Sequence, residues 1–421
     1  MLYPYLKMDA DYDRTNRLNW TYRIADISQV VRELRVQGYW DDVRHLMDDR
    51  LRASSLTTPR PYSMQTDATT QVYGGKLGAT LALGGGTLKT GIDYYNRNWN
   101  AVNRRAGYFA YRDTAMIPDV SVDNLGMFGE YRLPLAPQVT LSGGLREDLT
   151  WIETDKSNPL AQAGDSRRFD GVSANLQLTY RPASWVTLFT GAARGNRTPD
   201  QQELYLDVPV ATPSATATYW HGSKDLQATV NHQADVGARF HTDTFYVNLS
   251  MFYSDLQDYI NLEQVPGTFE KSYRNVHASM WGAELSSELV LFGDLFLRGS
   301  MSFVEGENLS GDRPLSEIPP LAGTISARYD NGVWFFEAAE NLAREQDRVD
   351  SGLQETVTAG WATTDLKGGI AYGGWSLVAG VQNLFDRQYY SHLSYARDPF
   401  QSGIKVPENG RNLYLSMSYR F

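Results

Sequence analysis

Apolar and polar side chains alternate with a period of two along much of this 421-residue chain, and that alternation limits its folds more than any other feature. Successive side chains of a strand point to opposite faces, so the pattern marks a sheet with one apolar and one polar side. In the last segment Leu413, Leu415, Met417, Tyr419 and Phe421 alternate with Asn412, Tyr414, Ser416, Ser418 and Arg420. Val172, Ala174, Leu176, Leu178 and Tyr180 repeat it around Ser173, Asn175, Gln177 and Thr179. Phe245, Val247, Leu249, Met251 and Tyr253 do so around Asn248, Ser250 and Ser254, and Leu295, Leu297, Met301 and Phe303 follow. Hydrophobic residues make up 42% of the chain and mean hydropathy is −0.43. A membrane helix needs about 20 consecutive apolar residues, and no segment supplies them. If the chain crosses a bilayer, it does so as a closed sheet, because only helices and closed barrels satisfy every backbone polar group in lipid.

A soluble sandwich also alternates, so the connections decide. Short turns at Gly84-Gly85-Gly86, Arg181-Pro182-Ala183-Ser184, His241-Thr242-Asp243, Tyr329-Asp330-Asn331-Gly332 and Tyr372-Gly373-Gly374 alternate with long polar connections near 42–66, 99–118, 156–168, 197–224, 305–317, 345–359 and 388–408. Short turns on one rim and long loops on the other belong to outer-membrane barrels, with the short turns periplasmic. The strand-like runs number roughly 17, against even counts in single-chain barrels and about 22 in the large transporters. The expected fold is all-β: an antiparallel transmembrane β-barrel, about 17 strands of a 22-stranded parent. No linker or low-complexity tract divides the chain, so residues 1–421 read as one barrel portion.

A net charge of −10, spread along the sequence, argues against a nucleic-acid partner, which would call for clustered Lys and Arg. The absence of Cys rules out disulfides and thiolate chemistry. Met1-Leu2-Tyr3-Pro4-Tyr5-Leu6-Lys7 has no export-signal pattern, so a barrel reading expects the natural N-terminus to lie upstream.

Three stretches carry a family resemblance that periodicity cannot supply. Arg197-Thr198-Pro199-Asp200-Gln201-Gln202-Glu203-Leu204-Tyr205 resembles the mid-barrel signature of TonB-dependent receptors. Gly380-Val381-Gln382-Asn383-Leu384-Phe385-Asp386-Arg387-Gln388-Tyr389-Tyr390, with Ser391-His392-Leu393-Ser394, is similar to their penultimate-strand motif. Gly410-Arg411-Asn412-Leu413, running to Phe421, resembles their last strand, which in the family is read by the barrel assembly machinery. Within the family, Met8-Asp9-Ala10-Asp11-Tyr12-Asp13 with His45-Leu46-Met47-Asp48-Asp49-Arg50 looks most like the TonB-dependent copper receptors. The resemblance implies a receptor of the Gram-negative outer membrane, in contact with its lipid and driven by TonB-ExbB-ExbD when full length. It also implies a copper ion as transported ligand, with no prosthetic group. In those receptors a His-x-Met pair from the barrel joins a Cys and a Met from an internal plug domain. His45 and Met47 match the barrel half; plug, TonB box and first strands would lie upstream of Met1.

The residues themselves support the pair. Leu34, Val36, Gly38 and Trp40 occupy one face and Arg35, Gln37 and Tyr39 the other, so an extended continuation keeps His45 and Met47 on the polar, lumenal parity. Imidazole and thioether form a soft, neutral pair suited to copper and unsuited to Mg²⁺ or Ca²⁺. Read blandly, both are loop residues, and two ligands alone do not make a tight site. Asp48 and Asp49 read either as a cation-attracting funnel or as a solvated loop.

Met8, Met64 and Met116 could form a methionine relay, although single loop methionines are usually incidental. His221 and His392 sit in long loops where ligation is conceivable; His232, His241 and His277 read as structural, as do Arg197, Asp200 and Glu203. No nucleophile turn, phosphate loop or His-Glu-x-x-His occurs, so the chain reads as no enzyme. Three functions compete: copper import, import of a ferric siderophore or other chelate, and a passive porin-like barrel.

Overall fold

The computed structural model describes residues 8–208, 220–265, 270–394 and 405–420. Among the described residues one sheet contains twenty strands, three of two residues each and seventeen of eight or more. The long ones are β1 (Asp9–Ala25), β2 (Val31–Asp48), β3 (Met64–Leu83), β4 (Gly86–Ala106), β5 (Tyr111–Ala136), β6 (Val139–Thr154), β7 (Ser166–Ala183), β8 (Val186–Arg197) and β9 (Thr229–His241). They continue as β10 (Phe245–Gln264), β11 (Lys271–Phe292), β12 (Leu295–Asn308), β13 (Ala322–Asp330), β14 (Trp334–Ala343), β15 (Trp361–Tyr372), β16 (Trp375–Gln382) and β17 (Asn412–Tyr419). Each pairs antiparallel with its neighbours in sequence, the meander expected of an up-and-down barrel. Among the described residues β1 pairs only with β2 and β17 only with β16, so the sheet has two free edges.

Alternation sets the two faces. Leu18 (63% exposed), Tyr22, Trp40, Leu77, Ile92, Leu145 (60%), Leu176, Val236, Met251, Trp281, Ile325, Phe336, Ile370 and Leu415 stand on the outer face, a band of apolar side chains that a soluble protein would bury. Trp185 against Phe240, Tyr329 against Trp334 and Trp375 against Tyr419 form ring pairs beside the short-turn rim, where amphipathic aromatics sit at a membrane interface.

Short turns join one rim and longer loops the other. Gly84-Gly85 and Gly373-Gly374 each place two consecutive residues at positive φ (54° and 80°, 55° and 83°), which a two-residue hairpin of the twist-matching type requires. On the opposite rim the loops span 49–63, 155–165, 198–228, 309–321, 344–360 and 383–411. The expected long connection at 99–118 is instead mostly strand: β4 runs to Ala106 and β5 starts at Tyr111, leaving a tip of four residues. The 26 residues of β5 far exceed the roughly 9–11 that cross a bilayer, so this hairpin stands well above it. The Asn383-Leu384-Phe385-Asp386 motif also finds its task here. Asn383, at φ 50°, donates to the Arg387 and Asn409 carbonyls and accepts from the Arg387 amide, while Asp386 accepts from the Arg411 amide, aligning the chain for β17.

Candidate metal-binding site in the lumen

Because β2 continues to Asp48, His45 and Met47 are strand residues on the lumenal parity, as the extended reading requires. His45 lies opposite Asp13 of β1 and Ala68 of β3; Met47 lies opposite Ala10 and Thr66. His45 Nδ1 is 3.5 Å from Asp13 Oδ2, within ion-pair range. With the Asp13 carboxylate on the Nδ1 side of the ring, Nε2 lies on the other side.

Two more thioethers share this region. Met8 Sδ lies 4.0 Å from Thr66 Oγ1, Thr66 Oγ1 donates to Asn103 Oδ1 at 2.7 Å, and Asn103 Nδ2 lies 3.9 Å from Met116 Sδ. Thr66 is the register partner of both Met47 and Asn103. Met8, Met47 and Met116 are therefore grouped around one Thr66–Asn103 rung, with Met64 two residues before Thr66 on β3. Sulfur donors on a polar lumenal wall can pass a soft cation and offer little to a hard one.

Asp48 and Asp49 form neither a funnel nor a solvated loop. Both are buried (2% and 0% exposed). Asp48 accepts from the Arg50 amide and guanidinium. Asp49 accepts from the Ser63 amide at 2.7 Å, the Met64 amide at 3.1 Å and the Ser63 hydroxyl. Burial pushes the Asp49 carboxyl up, but the hydrogen bonds from Ser63 and Met64 outweigh it and hold the group below the usual aspartate range. With the Arg52–Asp9 pair, these contacts fasten the 49–63 loop above His45 and Met47.

The other histidines separate cleanly. His392 is buried with both ring nitrogens engaged, Nε2 at 3.0 Å from Glu355 Oε1 and Nδ1 at 2.8 Å from Thr358 Oγ1; it locks two loops together and is not placed to ligate. His277 Nε2 sits 2.6 Å from Asp255, and His221 Nδ1 3.1 Å from the Gly222 carbonyl. Among the described residues no group of three or more His, Cys, Asp or Glu could hold a metal, so any site at His45 depends on thioethers.

Arg197, Asp200 and Glu203 do have the structural task expected of them. Asp200 and Glu203 form a reciprocal capping box on helix α1 (Gln201–Tyr205), and Arg197 pairs with Glu203. Sequence reasoning missed what that helix does: with Leu206 and Leu226 it folds into the lumen against Ala101, Ile117, Val120, Val122, Ile152 and Phe169. The available signal was the run of apolar residues at lumenal parity, where a wet lumen would carry polar ones.

A family model described as "TonB dependent receptor-like, beta-barrel" matches residues 3–384. The chain belongs to this family. Its members are outer-membrane receptors and transporters, not enzymes. Among solved structures, the copper transporter OprC is similar with a TM-score of 0.87 and 25% identity, over 98% of this chain and 66% of that one. The FrpB iron transporter from Neisseria meningitidis follows at 0.73 and 14% identity, covering 97% and 63%. The ferric yersiniabactin uptake receptor FyuA from Yersinia pestis stands at 0.70 and 16%, covering 96% and 61%. The chain thus spans under two thirds of the receptors it resembles, and the two more distant likenesses speak for the fold alone.

Proposed function

We propose that this chain is the C-terminal barrel portion of an outer-membrane TonB-dependent receptor that imports copper, with His45 and Met47 as its barrel ligands. In this reading a plug domain and the first barrel strands complete the receptor and supply the remaining ligands. TonB-ExbB-ExbD then drives it, and the barrel assembly machinery inserts it through the closing strand. The observation that carries the proposal is the placement of His45, with Asp13 3.5 Å from its Nδ1, and Met47 on one lumenal face beside Met8 and Met116. The likeness to a copper transporter supports it independently.

Titration of the folded chain with Cu(I) against a chromophoric competitor chelator tests the reading. Two to four soft donors should bind Cu(I) measurably, and His45→Ala and Met47→Ala should each weaken binding by about tenfold or more, the loss of one ligand of a small set. Unchanged Cu(I) affinity in both variants would sink it and shift weight to an organic metal chelate as the ligand.

A further inference from the structure

The described parts of the 198–228 connection, 198–208 and 220–228, do not project outward as a free loop. Its first turn is fixed to β4 and β5: Arg97 Nη1 pairs with Asp200 at 2.9 Å, and the buried Gln201 side chain donates to the Arg97 carbonyl at 3.2 Å and the Val120 carbonyl at 2.5 Å. Its return is fixed on the far side, where Asp207–Val208 pair with Trp220–His221, which pair in turn with Lys271–Ser272 of β11. Between the two, Asn158 donates to the Tyr205 carbonyl and Arg167 to the Leu226 carbonyl, each at 2.8 Å. Leu204 and Tyr205 are wholly buried, and a Cβ on Gly222 would meet the Leu204 carbonyl carbon at 2.5 Å, so the packing is close. The described parts of the connection form a fixed strap along the lumenal wall from β4 to β11.

The strap lies level with the candidate site. His45, Ala68, Ala101 and Ile117 are successive cross-strand partners on one rung, and the last two are completely covered by the strap cluster, against which Ala68 also packs. At about 4.8 Å per strand, the covered wall begins roughly 10 Å from His45. We infer that the strap is a size filter: it narrows the extracellular approach to His45 and Met47, admitting a bare ion or small complex and rejecting a bulky chelate. Gln201, Leu204 and Tyr205 are then specificity-determining positions that never touch the ion. The inference rests on the site proposed above and names the ligand size it takes.

The chain contains no Cys, so Met47→Cys creates a unique thiol. Cells displaying that variant behind an export signal are treated from outside with two methanethiosulfonate reagents, one carrying ethylammonium and one a long polyethylene glycol. With the strap intact the small reagent should label quickly and the large one slowly. Leu204→Ala/Tyr205→Ala, which undoes strap packing, should speed the large reagent by about tenfold or more and leave the small one within about threefold, as for local opening. Gln201→Ala, which removes only the two carbonyl tethers, serves if the double variant fails to show the heat-modifiable migration of a folded barrel. Equal labelling by both reagents with the strap intact, or no acceleration in folded strap variants, would overturn the inference. Labelling reads access alone, so a failed copper titration would leave this result standing.

Discussion

Asp49→Ala should release the 49–63 loop without unfolding the barrel. The carboxylate is fully buried and accepts from the Ser63 and Met64 amides and the Ser63 hydroxyl. Truncation leaves two amides without an acceptor, and an unsatisfied buried donor costs about 1–3 kcal/mol, so a local loss of roughly 2–4 kcal/mol is expected after partial access of water. Because 1.4 kcal/mol is tenfold, local opening should become roughly 30- to 700-fold more frequent. Hydrogen exchange resolved to the Ser63 and Met64 amides reads this directly, with the mid-strand amides of β2 and β3 as internal controls. The pH dependence has a definite sign. Asp49 titrates below its ordinary value in the folded state, so its contribution is complete above the unfolded aspartate pKa of about 3.9 and is lost as pH falls through the lower folded value. The wild-type loop should stay protected from neutral pH down to about 4 and loosen only below that. Protection that changes less than about threefold in Asp49→Ala, or a wild-type loop that opens near neutral pH, would refute this account.

Two further outcomes are expected. Leu204→Ala removes a fully buried side chain from the strap cluster and should cost about 2–5 kcal/mol of strap stability, seen as earlier urea exposure of the 198–228 segment to protease. Burial pushes the Asp350 carboxyl up despite the Gly352 amide and Arg313, so the folded state binds its proton more tightly than the unfolded one. Stability of the 344–360 loop should therefore rise as pH falls through that raised value toward the unfolded aspartate pKa of about 3.9, and Asp350→Asn should flatten the pH profile of its exchange.

Legibility followed the lipid. Where side chains meet a bilayer, alternation is enforced, so the strand count near 17, the rim assignment and the lumenal parity of His45 and Met47 were all readable from sequence. Above the membrane that constraint ends. Asn96, Asn98, Asn100, Asn103, Arg104 and Arg105 place polar groups on both faces of β4, and the upper β4–β5 hairpin consequently read as loop. Partnerships made by folding were also silent. Nothing near His392 announces Glu355, 37 residues away, and nothing beside Asp49 announces Ser63. Ile117, Val120, Val122 and Ile152 did carry a signal, since apolar residues at lumenal parity call for a cover, but the covering residues lie far off in the chain.

The free edges of the described sheet impose a rule on the strands that the proposed receptor would add. β1 enters a short turn at Ala25 and β16 reaches β17 through the long 383–411 loop, so β1 and β17 both run from the loop rim to the turn rim. Two such strands could meet only in parallel, whereas every long-strand pairing in the sheet is antiparallel. A second copy in the same membrane orientation offers the same two edges and meets the same conflict. Antiparallel closure takes an odd number of intervening strands, and the receptor proposed above, if it has the roughly 22 strands expected from the sequence, would add about five to the 17 long ones described. An even complement would leave one seam parallel, and an unfilled seam would expose unpaired backbone groups to lipid at several kcal/mol for each group. The outer faces of both edges, with Leu18, Trp20, Tyr22 and Ile24 on β1 and Leu413, Leu415, Met417 and Tyr419 on β17, already carry the lipid-facing parity that such strands would continue.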